Sequence, residues 1–303
     1  MKLLIAALLL AVPAASFDSV LPALAQDKQD KVELRWKWQK GQELVYKSVQ
    51  KTLMEFGGQP MDQHMGYTYS MTVADLGESG EATITVKYLA VVTKGNGPTG
   101  EYDYDSEKDK EPPAEGPAAM QAKMVGQSFT MKMTSTGKVT DVQGYDKVLE
   151  AMTKGSGEEA AAVRAQLKQM FNNDTFKGMM QQMAPPLPDV KVGKGDTWDN
   201  EFTVKMPMIG GMTFTLKSTL ADLKDSNAHI EQDIKVELKG GDKDNPLAGL
   251  VEIKDGKGKA SSVYSTEKGC FLSQKSSMDM KIAVQGQEMP MKTVVELTLV
   301  SRK

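Results

Sequence analysis

The chain has 303 residues, with 37 basic residues against 40 acidic ones, a formal net charge of −3 and a single cysteine. This balance, without a concentrated basic cluster, argues against a nucleic-acid partner. One cysteine cannot form an intramolecular disulfide, so a hydrophobic core must stabilise the fold.

Residues 1–25 have the pattern of a secretory signal peptide. Lys2 precedes an apolar run from Leu3 to Ala15, and Ala23-Leu24-Ala25 supplies the small residues that signal peptidase accepts. We expect cleavage after Ala25; cleavage after Ser16 is the alternative, but it would leave an exposed apolar tail. The apolar run is shorter than the roughly 20 residues that cross a membrane. We therefore predict an exported protein, periplasmic or extracellular, without a transmembrane segment.

Alternating apolar and polar residues predict β-strands through most of the chain. A clear example is the run from Thr83 to Tyr88. Similar runs cover residues 67–75, 127–135, 201–206, 212–220, 228–238, 270–284 and 291–300. Short connections such as Gly210-Gly211 predict antiparallel pairing, because parallel strands need longer crossovers.

The acidic and proline-rich residues 101–117 predict a solvated loop. A calcium site is the alternative, because Asp103, Asp105, Glu107 and Asp109 alternate along the segment. A calcium loop also requires glycine at its sixth position and glutamate at its twelfth, and both are missing.

From Gly144 to Ala184 the apolar residues recur at helical spacing, and Pro185-Pro186 ends the pattern. The predicted helices share one apolar stripe, which includes Leu167, Met170, Phe171, Met179, Met180 and Met183. Such a stripe requires an apolar partner, and we expect the sheet to provide it.

Two parts of the chain resemble each other. Residues 72–76, Thr-Val-Ala-Asp-Leu, are echoed by residues 219–223, Thr-Leu-Ala-Asp-Leu, and a strand-like run follows each. We predict a mainly β (α+β) fold: either one antiparallel curved sheet or two related β-meander halves, with a central helical insertion. The predicted boundaries are 1–25 for the signal peptide, 26–143 for the N-terminal half, 144–189 for the insertion and 190–303 for the C-terminal half.

No motif for catalysis or for a cofactor is recognisable. The two histidines, His64 and His229, lack the accompanying ligands of a zinc site. Gly256-Lys257-Gly258-Lys259 lacks the first glycine of a phosphate-binding loop, and we interpret it as a hairpin turn. We therefore expect no enzyme, no cofactor and no metal; a hydrolase with paired carboxylates is the less favoured alternative.

Methionine is unusually frequent, with 21 residues in the chain. Several methionines stand two apart, which places both side chains on one face of a strand; examples are Met131 with Met133 and Met206 with Met208. Copper(I) binding by thioethers is one interpretation. An adaptable apolar lining is the other, and we favour it because no histidine lies beside the pairs.

Three segments resemble a family of exported bacterial proteins of unknown function. They are Gly137-Lys138-Val139 leading to Gly144, residues 188–198 and the stretch from Gly256 to Gly269. Such proteins are similar in plan to periplasmic lipoprotein carriers, in which a curved antiparallel sheet holds helices and shelters acyl chains. The resemblance implies this plan and assigns no functional residue.

The favoured hypothesis is an exported, non-catalytic protein that binds an apolar or amphipathic small molecule. A structural or protein-interaction module with a packed core is the alternative. The candidate lining residues are Met131, Met133, Leu167, Met170, Phe171, Met179, Met180, Met183, Met206 and Met208.

Overall fold

The computed structural model describes residues 31–56, 58–97, 100–154, 164–165, 167–168, 172–206, 210–239, 251–284 and 286–303. These residues form one twelve-stranded antiparallel sheet with helices against it, which confirms the predicted mainly β class. The predicted signal peptide, residues 1–25, lies outside the described residues.

The strands of the N-terminal part are β1 (Glu43–Phe56), β2 (Gln59–Leu76), β3 (Ala82–Gly97), β4 (Gly100–Asp105), β5 (Ser128–Met133) and β6 (Val139–Gln143). Those of the C-terminal part are β7 (Thr197–Met206), β8 (Gly210–Lys224), β9 (Asn227–Lys239), β10 (Val251–Ser265), β11 (Cys270–Val284) and β12 (Gln287–Arg302). Among the described residues, the helices with continuous bounds are α1 (Gly116–Ala122), α2 (Tyr145–Thr153) and α3 (Asn173–Met183).

The strand order is β6-β5-β3-β2-β1-β12-β11-β10-β9-β8-β7, with β4 paired to β3 beside this path. The C-terminal part is a meander, and the N-terminal part is a meander in which β4 and β5 pair with different stretches of β3. The pairing of β1 with β12 joins the two parts. The sheet is strongly curved, because α3 contacts both β6 and β7, the two ends of the order. A flat sheet would hold these strands about 48 Å apart, whereas an eleven-residue helix spans only about 16 Å.

Helix α3 bridges the two edge strands through side chains as well as packing. Thr175 donates its hydroxyl to the carbonyl of Lys205 on β7, at 2.5 Å. On the other side, Gln181 accepts the backbone N–H of Val139 on β6, at 2.9 Å. Helix α3 therefore satisfies polar backbone groups that open sheet edges would leave unpaired.

The sequence echo corresponds to repeated geometry. A β-bulge follows Val73 in β2 and Leu220 in β8. Just before the first strand of each part, a glycine donates its N–H to these two residues: Gly41 to Val73 at 2.9 Å, and Gly195 to Leu220 at 2.8 Å. Ion pairs of Lys40 with Asp75 at 3.0 Å and of Lys194 with Asp222 at 2.9 Å complete the correspondence. The two meanders are thus related, while the exact domain boundaries stay a prediction.

The segment before β1 packs against residues from both meanders. Val32 forms an isolated antiparallel bridge with Val192, and the N–H of Trp36 donates to the carbonyl of Ser135 at 2.7 Å. The indole rings of Trp36 and Trp38 are buried and stack with centroids 4.6 Å apart. Both tryptophans therefore belong to the hydrophobic core.

Two predictions from local composition were wrong. Residues 101–117 are not simply a loop, because they include β4 and the start of α1. Residues 256–259, which we predicted to form a hairpin turn, instead lie inside β10. They adjoin a bulge between Lys254 and Lys257. A Cβ on Gly258 would lie 2.5 Å from the carbonyl oxygen of Ser277, so glycine allows close strand approach there.

No helix among the described residues is long and apolar enough to cross a membrane.

Candidate functional site

A cavity of about 420 Å³ lies between the helices and the sheet face turned towards them, which we call the inner face. Most of its lining is apolar or aromatic. The helical side and the adjoining segments contribute Met124, Tyr145, Met152, Phe176, Met179, Met180, Gln182, Met183 and Pro185. The inner face contributes Ser48, Gln50, Tyr67, Tyr69, Tyr88, Phe202, Phe214, Leu216, Gln232, Ile234, Gln274, Ser276, Met278, Val295 and Leu297.

None of these lining residues carries a charge. The strands nevertheless hold many charged residues, and pleating directs those to the opposite, outer face. Lys275, for example, follows Gln274 in β11 and pairs with Glu296 at 2.8 Å on the outer face. The described part of the cavity wall is therefore electrically neutral, although 25% of the residues in the chain are charged.

The tyrosines at the cavity also stay neutral. Burial raises the pKa of Tyr67 to about 12, although a hydrogen bond to Gln121 opposes the shift. Burial likewise raises the pKa of Tyr145 to about 12 and that of Tyr88 above its usual range. A phenol that is hard to ionise presents a hydroxyl, and never a negative charge, to anything bound near neutral pH.

A band of uncharged polar side chains crosses the inner face. One row of cross-strand partners runs from Gln50 on β1 through Val295, Ser276 and Ala260 to Gln232 on β9. In the next inward-facing row, Leu297 on β12 lies between Ser48 on β1 and Gln274 on β11. We call Ser48, Gln50, Gln232, Gln274 and Ser276 the amide band.

A second, smaller void of about 30 Å³ lies behind the cavity. Met180 and Met183 line both spaces, together with Tyr69 and Leu297. The void has about the volume of one water molecule, but its wall is almost wholly apolar, so it is expected to be dry. Rotation of the two unbranched methionine side chains would enlarge the cavity into this void.

The structure distributes the predicted lining residues unevenly. Met179, Met180 and Met183 line the cavity, and Met131 lines the void behind it. Met133 is fully buried in the core, and Leu167 is half-buried without reaching the lining. Met170, Phe171 and Met208 lie outside the described residues, as does the side chain of Met206 on β7. Whether any of these residues binds a ligand stays a prediction.

Sequence reasoning missed the amide band and the tyrosines. Gln232 is 5% exposed, and its amide donates to the Ser218 hydroxyl at 2.9 Å. The sequence does contain a signal for Gln232, because it lies between Glu231 and Asp233 on a strand. Alternation along the strand directs the neutral amide inward and the two charged side chains outward.

The other large depressions among the described residues have charged linings: one of about 620 Å³ includes Lys51, Asp62 and Lys94, and one of about 500 Å³ includes Lys217, Glu231 and Asp233. The acidic loop is closed by its own contacts, since Lys108 pairs with Asp105 at 2.6 Å and Asp109 accepts the N–H of Asp105 at 2.6 Å. Within the described ranges, no three residues of the His, Cys, Asp and Glu types come together as metal ligands. Neither His64 nor His229 lines the cavity.

Comparison with solved structures gives distant similarities. The chain is similar to DynF from the dynemicin biosynthesis pathway of Micromonospora chersina, with 6% identity, a TM-score of 0.22, and coverage of 89% of this chain and 86% of that one. A putative outer membrane lipoprotein-sorting protein domain from Vibrio parahaemolyticus gives 8% identity, a TM-score of 0.15, and coverage of 86% and 84%. Pseudomonas aeruginosa OccK5 gives 6% identity, a TM-score of 0.20, and coverage of 85% and 97%. Scores this low transfer neither fold nor function.

No curated protein matches the sequence. A family profile does match, over residues 79–288, which is more than two thirds of the chain, and its description is a family of unknown function. The expectation of membership in such a family is thereby confirmed. The chain belongs to the family of unknown function DUF6263.

Proposed function

We propose that this protein is an exported, non-catalytic binding protein of the cell envelope that holds an apolar or amphipathic small molecule in the cavity. The observation that carries the proposal is the cavity itself, whose volume of about 420 Å³ falls in the range of roughly 300–1,000 Å³ typical of small-molecule sites. A packed structural module would fill this space with its own side chains.

The chemistry of the lining supports an apolar guest. Six methionines contribute to it, and thioether side chains are flexible and polarisable enough to pack against ligands of different shape. Met179 also packs against two hydrophobic clusters of the described residues, so a guest there would contact apolar surface from both. Export is supported separately, by the signal-peptide pattern of residues 1–25.

Titration with the neutral fluorophore N-phenyl-1-naphthylamine tests the proposal. We expect saturable binding at one site per chain, and we expect Met179→Trp to weaken it at least tenfold because the larger ring occupies cavity volume. Met120→Trp is the matched control, since Met120 is a half-buried helical methionine outside the lining. Non-saturable binding, or equal binding by both variants and the native protein, would favour the packed structural module.

A further inference from the structure

The amide band suggests which molecules the cavity accepts. It places three carboxamides and two hydroxyls on a wall that otherwise consists of apolar and aromatic side chains. For a purely hydrocarbon guest such groups are a disadvantage, because a buried polar group without a partner costs free energy. A guest that forms hydrogen bonds with the band avoids this cost.

The hydrogen bonds of the band indicate what kind of polar group it would receive. The amide nitrogen of Gln50 donates to the Thr52 hydroxyl at 3.2 Å, and that of Gln232 donates to Ser218 at 2.9 Å. Each of these two bonds uses one of the two N–H groups of its amide, so the amide oxygen and the second N–H of Gln50 and of Gln232 can both face a ligand. Hydroxyl and amide groups of a ligand, which donate as well as accept, would match both, whereas a group that only accepts would leave the amide oxygens unpaired.

An ionised head group does not fit the same wall. Among the described residues that line the cavity there is no lysine, arginine or histidine, so a carboxylate or phosphate would meet no counter-charge on this wall. Removing an ion from water without such compensation is unfavourable by several kcal/mol.

Building on the proposed binding function, we propose that the cavity selects uncharged amphiphiles: one hydrocarbon chain against the methionine-rich helical side, and a head with hydroxyl or amide donors against the amide band. A monoacylglycerol has this chemistry. The corresponding fatty-acid anion and the methyl ester do not, because the anion is charged and the ester has no donor.

Displacement of bound N-phenyl-1-naphthylamine by monolaurin, methyl laurate and laurate at neutral pH tests the selectivity. We expect monolaurin to displace the fluorophore at concentrations about tenfold lower than methyl laurate requires, because one or two additional hydrogen bonds are worth about this factor in affinity. Laurate should be the weakest competitor. In Gln50→Leu, the advantage of monolaurin over methyl laurate should fall below about threefold. Thr52 keeps a partner in this variant, because its hydroxyl also lies 3.3 Å from that of Thr293.

Gln274→Leu provides a second, independent variant if Gln50→Leu does not fold, and it should reduce the same ratio. Gln143→Leu is the control, because Gln143 is an exposed strand residue outside the lining and should keep the native ratio. Equal displacement by all three compounds, or tightest binding of laurate, would overturn the inference while leaving the binding function intact. If the fluorophore does not bind saturably and no compound binds, both proposals fail.

Discussion

Replacement of Gln181 by leucine tests the bridge that closes the sheet. The side chain is 6% exposed, and its carboxamide forms three hydrogen bonds. It accepts from the N–H of Val139 at 2.9 Å and donates to the carbonyls of Gly137 at 3.0 Å and of Ala184 at 2.7 Å. Leucine has a similar size but forms none of these bonds.

The expected loss of unfolding free energy follows from the backbone groups that lose their hydrogen-bond partner in this variant. The N–H of Val139 and the carbonyl of Gly137 belong to buried residues of the β6 region. Each buried polar group left unpaired costs about 1–3 kcal/mol, so Gln181→Leu should lower the free energy of unfolding by about 4 kcal/mol. Against a typical total of roughly 5–15 kcal/mol, such a loss is readily measured.

Urea denaturation followed by circular dichroism is the assay, and Gln182→Leu is the control. Gln182 is the next residue of α3 but is exposed, so its replacement should change the unfolding free energy by less than about 0.5 kcal/mol. Equal midpoints for the two variants would refute the idea that Gln181 holds α3 to β6.

Three further predictions concern stability and reactivity. The raised pKa values of Tyr67 and Tyr145, about 12 against an ordinary 10.0, mean that the folded protein holds both phenolic protons more tightly than the unfolded chain. Their contribution to stability is therefore complete below pH 10 and lost as pH rises towards 12, on the order of 3 kcal/mol per tyrosine, and unfolding titrations of Tyr→Phe variants should show a flatter alkaline decline. Cys270, 1% exposed and with a thiol pKa raised by burial, should react with a maleimide only after denaturation, so rapid labelling of the folded protein would contradict its burial. Gly178→Ala should lower the melting temperature, although alanine normally favours a helix, because the new Cβ would lie 2.9 Å from the Cα of Val204; a higher melting temperature would show that α3 is not tightly packed on β7.

Periodicity predicted the fold class and the helical insertion because both depend on repeated burial. Alternation in runs such as 228–238 identifies strands directly, and the stripe through Met179, Met180 and Met183 identifies a buried helix face. Strand β10 was missed because Gly256 and Gly258 resemble turn residues, whereas in the sheet they relieve close contacts with neighbouring strands. Helix α1 was missed because it has only seven residues, too few for a periodic pattern.

The candidate site was predictable only in its apolar half. Methionines at helical spacing indicate an apolar face, and three of them do line the cavity. The amide band depends on which residues face each other across five strands, as with Gln50 and Gln232, which are 182 positions apart in sequence. Cross-strand register of this kind depends on tertiary pairing and is not encoded in local composition.

Intact mass under native conditions, measured on protein isolated from its natural host without organic solvent, tests the central claim most directly. The account predicts a second species heavier than the chain by one small molecule, and extraction should release an uncharged amphiphile in a stoichiometric amount. The mass of the chain alone, unchanged after addition of monolaurin, would contradict the claim that the cavity holds a ligand.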